Sequence, residues 1–210
     1  MSAPRIAVVD YGIGNLRSAE KALQHLEADA ALTSDERVIE RADAVVLPGV
    51  GAFGACMHAL RAAGLEAATR AAATDGRPFL GICIGMQMLF DGSDETPDVR
   101  GLGVVSGRVT LLPKTVRLPQ MGWNTLDVTP ESRLGADLPD PAWLYFVHSY
   151  APEPDDDGAV AAWCDYGRRF AAAIEIGPLW ATQFHPEKSG TVGLRMLGNF
   201  VDAIKSRRVA

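Results

Sequence analysis

Through the first hundred residues, short unbroken apolar runs alternate with longer stretches in which apolar residues recur every three or four positions. RIAVVD (residues 5–10) is a β-branched run that ends in an acid and the loop YGIGN. In residues 15–28, Leu16, Ala19, Leu23 and Leu26 then fall on one face of a helix. DAVVLPGVG (residues 43–51) predicts a second buried strand that stops at Pro48 and two glycines, and RPFLGIC (residues 77–83) predicts a third. Between them lies an Ala-rich helical stretch, residues 52–73, broken at Gly64. Continuous apolar strands separated by helices predict a parallel sheet covered on both faces.

After residue 100 the texture changes. Residues 103–112, 120–128, 142–150, 159–167, 169–177 and 179–187 read as successive strands divided by Gly, Pro or Asp turns. Helical periodicity returns only in residues 189–208, where Val192, Leu194, Leu197, Phe200, Val201 and Ile204 form a stripe. EPDDDG (residues 153–158) reads as an exposed acidic turn and SDETPD (residues 93–98) as a surface loop. The pattern predicts one α/β domain spanning residues 1–210. Its sheet is doubly wound and mostly parallel, with helices on both faces and an added antiparallel strand layer in the second half.

Composition narrows the function. A 210-residue chain with 48% hydrophobic and 22% charged residues builds an ordinary globular core without a disulfide or metal. A net charge of −6 argues against nucleic acid or an anionic membrane as partner, and the one basic cluster, KSRR (residues 205–208), reads as a solvated tail. Cys56, Cys83 and Cys164 show no C-x-x-C spacing, the pattern of a reduced, cytosolic protein. The longest apolar window, FLGICIGMQMLF (residues 79–90), is too short to cross a bilayer, and the first ten residues lack the features of a signal peptide. A cytoplasmic location is the expectation.

That same window holds the candidate chemistry. In GICIG, Cys83 stands where a strand turns sharply into a helix, with Gly81 and Gly85 relieving the crowding, as in a nucleophile elbow. The N–H groups at the start of a helix favour a thiolate there. The motif alone leaves two readings, a nucleophile or a buried structural cysteine. Among four histidines, His185 in QFHPEKSG is the best base, because Glu187 lies two positions on and an extended backbone points both side chains the same way. The same segment also reads as a strand end, with Pro186 stopping the strand and Ser189 capping a helix. PGVGAFG (residues 48–54) supplies a third element: with a glycine on either side, Val50 can turn its N–H toward a developing oxyanion, paired with the N–H of Ile84. It reads equally as a Gly-rich strand-to-helix loop. Such a loop can also cradle a phosphate, though no P-loop Lys-Ser/Thr follows it; DYGIGN lacks the third glycine of a dinucleotide fingerprint, so NAD is not indicated.

The strand–GICIG–helix unit, PGVG and HPE together resemble the class I, triad-type glutamine amidotransferase family, over about residues 5–203. DYGIGN, PGVGAFG, GICIGMQ, PQMGWN, YFVHSY and QFHPEKSG, in that order, are similar to the branch serving imidazole glycerol phosphate formation in histidine biosynthesis. The resemblance implies a glutaminase with Cys83 as nucleophile, His185 as acid and base, Glu187 orienting it, and Val50, Gly51 and Ile84 forming the oxyanion hole. It implies that Gln87, Glu95 and the stretch His148, Ser149 and Tyr150 hold L-glutamine. It also implies a heterodimer with a (βα)8-barrel cyclase/synthase subunit that receives the ammonia, with Asn15, Trp123, Asn124 and Lys188 at the interface. The alternative for MGWN is a half-buried edge strand with Trp123 in the core. Gln120 occupies a position of P-x-M-G-W-N that the resemblance assigns to His or Gln. No cofactor and no metal is expected, and neither nucleic acid nor membrane is a partner. Two other readings stay open: an amidotransferase serving another pathway, such as anthranilate, guanylate or pyridoxal phosphate synthesis, or a hydrolase; and a non-enzymatic α/β protein with an elbow cysteine.

Overall fold

A computed structural model of the chain describes residues 2–14 and 16–207. Met1, Asn15 and residues 208–210 lie outside the described residues, so the interface expectation at Asn15 and the last arginine of the basic tail have no counterpart here.

The expected apolar runs form the interior strands. β1 (Arg5–Val9), β3 (Ala44–Gly49) and β4 (Phe79–Cys83) are buried almost throughout, as strands covered by helices on both faces must be. α1 (Leu16–His25), α3 (Phe53–Ala62) and α4 (Glu66–Thr74) connect or cover them. Two elements between α1 and β3 had no strong apolar signature: β2 (Asp29–Thr33) buries only Ala30 and α2 (Glu36–Arg41) only Ile39. β2 is the edge of the sheet, where little apolar surface is needed. α2 is set by its cap, since the Asp35 carboxylate accepts the Arg37 N–H at 2.9 Å.

Beyond β4 come the single-turn helix α5 (Ile84–Gln87) and the strands β5 (Gly92–Ser93), β6 (Gly107–Leu111), β7 (Gln120–Val128), β8 (Ala142–His148), β9 (Tyr150–Pro154), β10 (Val160–Asp165), β11 (Arg169–Ile176) and β12 (Leu179–Thr182). α6 (Gly190–Arg207) closes the described chain. The large sheet runs in the order β2-β1-β3-β4-β12-β11-β10-β7-β8. It is parallel from β2 to β12 and antiparallel beyond, so most of the antiparallel part extends the same sheet edge to edge. A second sheet has the order β5-β6-β9, and its β9 packs against β11 of the large one.

Three local readings change. Residues 142–150 form two strands, because the chain leaves the large sheet at Ser149 and β9 pairs with β6 in the small one. In SDETPD, Ser93 is fully buried in β5 and Glu95 is only part-exposed, so the segment is no simple surface loop. On α6, Met196 fills the core position expected of Leu194, which is half-buried.

The register places the C-terminal ends of β3, β4 and β12 side by side: Gly49 pairs with Cys83, and Ile82 with Thr182. Phe53, Phe79, Phe90, Phe184 and Phe200 are buried without solvent exposure, and Trp180 nearly so.

Candidate active site

Cys83 ends β4 at φ 55° and ψ −110°, and α5 begins at the next residue. A non-glycine residue there is strained and must be held by its surroundings. The holding contact is backbone on backbone: a Cβ on Gly85 would lie 1.8 Å from the Leu47 carbonyl oxygen of β3, and one on Gly81 would lie 3.0 Å from the Gly85 carbonyl oxygen. The turn is therefore pressed against its neighbours with no room for a side chain. α5 is one turn long, so it offers Cys83 the free N–H groups of a helix start rather than a long aligned dipole.

His185 follows β12 and enters a one-turn helix at Pro186–Lys188. Its Nδ1 lies 2.8 Å from Glu187 Oε1, and the two side chains are 2% and 4% exposed. The backbone is fixed from β8: the His185 N–H donates to the Tyr145 carbonyl at 3.0 Å, and Ser189 Oγ donates to the His185 carbonyl while accepting from the Tyr145 N–H. The Ser189 side chain thus ties the histidine turn to β8, while its carbonyl accepts the Gly193 N–H at the head of α6 from the cap position expected of it. Burial pushes the His185 pKa down, but the influence of the nearby Cys83 sulfur and the hydrogen bond and attraction to the Glu187 carboxylate prevail, and it rises to about 9. Imidazolium is the resting form at neutral pH.

PGVG lies directly beside the elbow. Gly51 has φ +96°, and its Cβ position is open, with nothing within 4 Å. Two side chains grip the carbonyls of this segment: Tyr11 Oη donates to Pro48 O at 2.8 Å and Cys56 Sγ donates to Val50 O at 3.3 Å. Burial pushes both the Tyr11 hydroxyl and the Cys56 thiol up, so both stay protonated donors.

These ends open into a cleft of about 420 Å³. Val50, Gly51, Cys83, Ile84, Gln87, Glu95, His148, Ser149, Tyr150, His185 and Lys188 all line it, and Glu187 stands behind His185. Glu95 Oε2 accepts the Phe53 N–H at 2.7 Å, which ties the carboxylate to the start of α3 at the cleft wall. His148 is buried and its pKa falls to about 4, chiefly by desolvation, so the ring is neutral. Its Nδ1–H donates to Tyr150 O at 2.8 Å, and Nε2 is left as a buried acceptor without a partner.

Pro119, Val147 and Gln183 were not singled out from the sequence. The first two line the cleft. Gln183 is fully buried, accepts from Gln87 Nε2 at 2.9 Å and has its own Nε2 3.7 Å from Cys83 Sγ. A glutamine inside an otherwise apolar strand end was the available signal.

The interface candidates part company. Trp123 is 54% exposed, packs edge to face on Tyr145 at 6.1 Å and shares its face of β7 with Met121, so the core alternative fails. Asn124 points to the opposite face, where its Nδ2 donates to Asp165 O and its Oδ1 accepts the Thr125 N–H. Gln120 lies on that inward side too, 3% exposed and beside Cys164. Lys188 is exposed at the cleft rim. Among the described residues no His, Cys, Asp and Glu cluster suits a metal, and no helix is long and apolar enough to cross a membrane.

The class-I glutamine amidotransferase family matches residues 7–204. Imidazole glycerol phosphate synthase subunit HisH of Methanothermobacter thermautotrophicus is 49% identical over 201 residues, covering 96% of this chain and all of that protein. The subunit of the same name from Halobacterium salinarum is 48% identical over 204 residues, covering 94% and 92%. Among solved structures, a putative GMP synthase protein from Thermoplasma acidophilum superposes with a TM-score of 0.75 at 20% identity, covering 100% of this chain and 98% of that one. PurLQS from Thermotoga maritima superposes with a TM-score of 0.74 at 20% identity, covering 99% and 100%. At that identity the two structures speak for the fold alone.

Proposed function

Because this chain belongs to the class-I glutamine amidotransferases, we propose that it is the glutaminase subunit of an imidazole glycerol phosphate synthase. The observation that carries the chemistry is a Cys83 elbow sharing one cleft with His185, whose ring is held 2.8 Å from Glu187. Cys83 sulfur attacks the side-chain amide carbon of L-glutamine, and the tetrahedral oxyanion takes N–H bonds from Val50 or Gly51 and from Ile84. His185 gives its proton to the leaving nitrogen, the C–N bond breaks, and ammonia departs from a thioester. The now neutral His185 takes a proton from water, hydroxide adds to the thioester, and glutamate leaves with Cys83 restored. Glu187 holds the ring and stabilises its charged form in both halves.

Gln87 and Glu95 hold the substrate, Glu95 through the attraction of a carboxylate for its ammonium group and Gln87 through its side-chain oxygen, which has no partner among the described residues. His148, Ser149 and Tyr150 form another wall of that pocket. The ammonia passes to a (βα)8-barrel cyclase/synthase subunit, which makes imidazole glycerol phosphate and aminoimidazole carboxamide ribonucleotide for histidine biosynthesis in the cytoplasm. The exposed face carrying Met121, Trp123 and Trp143, together with Lys188, is the docking side we assign to that subunit.

The test is a Cys83→Ala variant measured together with the synthase subunit. Glutamine-driven synthesis falls by more than about a thousandfold, while synthesis driven by ammonium salts persists. Retained glutamine use by this variant would refute the assignment.

A further inference from the structure

Gln183 and Gln87 form a relay of side-chain amides that begins at a backbone carbonyl and ends at the Cys83 sulfur. The Tyr150 carbonyl can only accept, and it lies 3.0 Å from Gln87 Nε2. With its NH2 group facing that carbonyl, Gln87 also donates to Gln183 Oε1 at 2.9 Å. Gln183 then has one orientation open to it. Its oxygen meets Gln87, and its Nε2, 3.7 Å from Cys83 Sγ, presents N–H to sulfur. The reverse orientation would set NH2 against NH2 at one end and an oxygen lone pair against a thiolate at the other. Both glutamines are essentially without solvent exposure, so water cannot substitute for either bond.

We propose that Gln183 is a catalytic residue of the glutaminase reaction, donating an N–H···S hydrogen bond that stabilises the Cys83 thiolate before attack and receives it again when the thioester is hydrolysed. A bond made to the charged form favours that form. The position is distinct from those of the other groups around the sulfur: His185 exchanges the proton and the oxyanion donors face the substrate oxygen. Gln183 acts on the sulfur itself and never titrates. Its place two residues before His185 joins the two roles, since one strand end carries both the base and the sulfur's hydrogen-bond donor.

The inference rests on the reading of Cys83 as nucleophile, and the experiment separates the two. Gln183→Met keeps the length and removes the donor, and Gln183→Glu puts an acceptor in its place. Each is prepared as the full chain, and folding is checked by thermal unfolding. Two readouts follow: glutamine hydrolysis in the presence of the synthase subunit, and iodoacetamide alkylation of Cys83 across pH, mapped by peptide mass spectrometry. Gln183→Met is expected to lower kcat about 3- to 10-fold with KM changed by less than about twofold, and to move the alkylation profile about half a unit to one unit toward higher pH. Gln183→Glu moves the profile further in the same direction. A folded variant of either kind with the wild-type profile and kcat overturns the proposal and leaves Gln183 a packing residue. A wild-type chain with no Cys83-dependent glutamine turnover would instead defeat the glutaminase reading, with the alkylation profile still deciding the hydrogen bond.

Discussion

The strand ends at PGVG and GICIG lie side by side, Gly49 paired with Cys83, and both space glycines around a central residue. Gly49 is close-packed against Tyr11 and Gly85, as the elbow glycines are, but Gly85 and Gly51 serve opposite ends. In GICIG, Gly85 is fully enclosed and its missing Cβ is what lets the turn touch the Leu47 carbonyl. In PGVG, Gly51 is exposed and has nothing within 4 Å of its missing Cβ, but its φ of +96° is one that other residues rarely adopt. One glycine permits close approach and the other permits a conformation. Cys83, the proposed nucleophile, is thereby held by packing, which is rigid, and the proposed oxyanion segment around Val50 by backbone torsion and two hydrogen bonds, from Tyr11 and Cys56.

The sharpest way to break this contrast is to put a methyl group at both places. Gly85→Ala drives a side chain into a backbone oxygen that cannot rotate away, and should cost about 3 kcal/mol or more of stability. Denaturant unfolding reads that loss directly, and glutamine hydrolysis disappears with it. Gly51→Ala meets no atom, so its cost is the backbone strain alone, about 1–3 kcal/mol. The chain should stay folded and alkylate normally at Cys83 while kcat for glutamine drops, because only the oxyanion segment has moved. Equal stability losses in the two variants would show that both glycines act through packing.

A gentler probe is pH. The folded-state pKa of His185 is raised from its ordinary 6.5 to about 9 by Cys83 and Glu187, against the desolvation that alone would lower it. A raised pKa means that the stabilisation is fully present below about pH 6.5 and is lost as pH climbs through about 9. The stability gap between the wild type and Glu187→Gln should therefore narrow over that range. Glutamine hydrolysis should decline above about pH 9, where the proton for the leaving ammonia is no longer held. A gap that widened with pH would contradict the assigned pairing.

Much of this site was legible because its parts are local in sequence. An elbow needs a strand, a small-x-Cys-x-small turn and a helix start in succession, and residues 77–87 contain all three. The His185–Glu187 pair needs only an i, i+2 relation on an extended backbone. Gln183 and Tyr11 were not legible, since each acts on a residue brought near by the fold. Gln183 reaches a sulfur 100 positions away, and Tyr11 a carbonyl 37 positions away. Asn124 looked like a partner of Trp123 in PQMGWN, but a strand alternates, and only the sheet decides which alternate set faces inward.

What the sequence determined by itself is therefore the set of parts: buried parallel strands, a cysteine at a forced turn, a histidine with its carboxylate, and two glycine-framed loops. Each follows from short-range sterics and periodicity. What only the tertiary structure decided is which ends adjoin and which polar groups meet across them. The parallel register sets Gly49 beside Cys83 and brings His185 to the same edge, and a backbone carbonyl at Tyr150 orients two glutamines toward one sulfur. Those contacts depend on packing between segments far apart in the chain, and no local pattern specifies them.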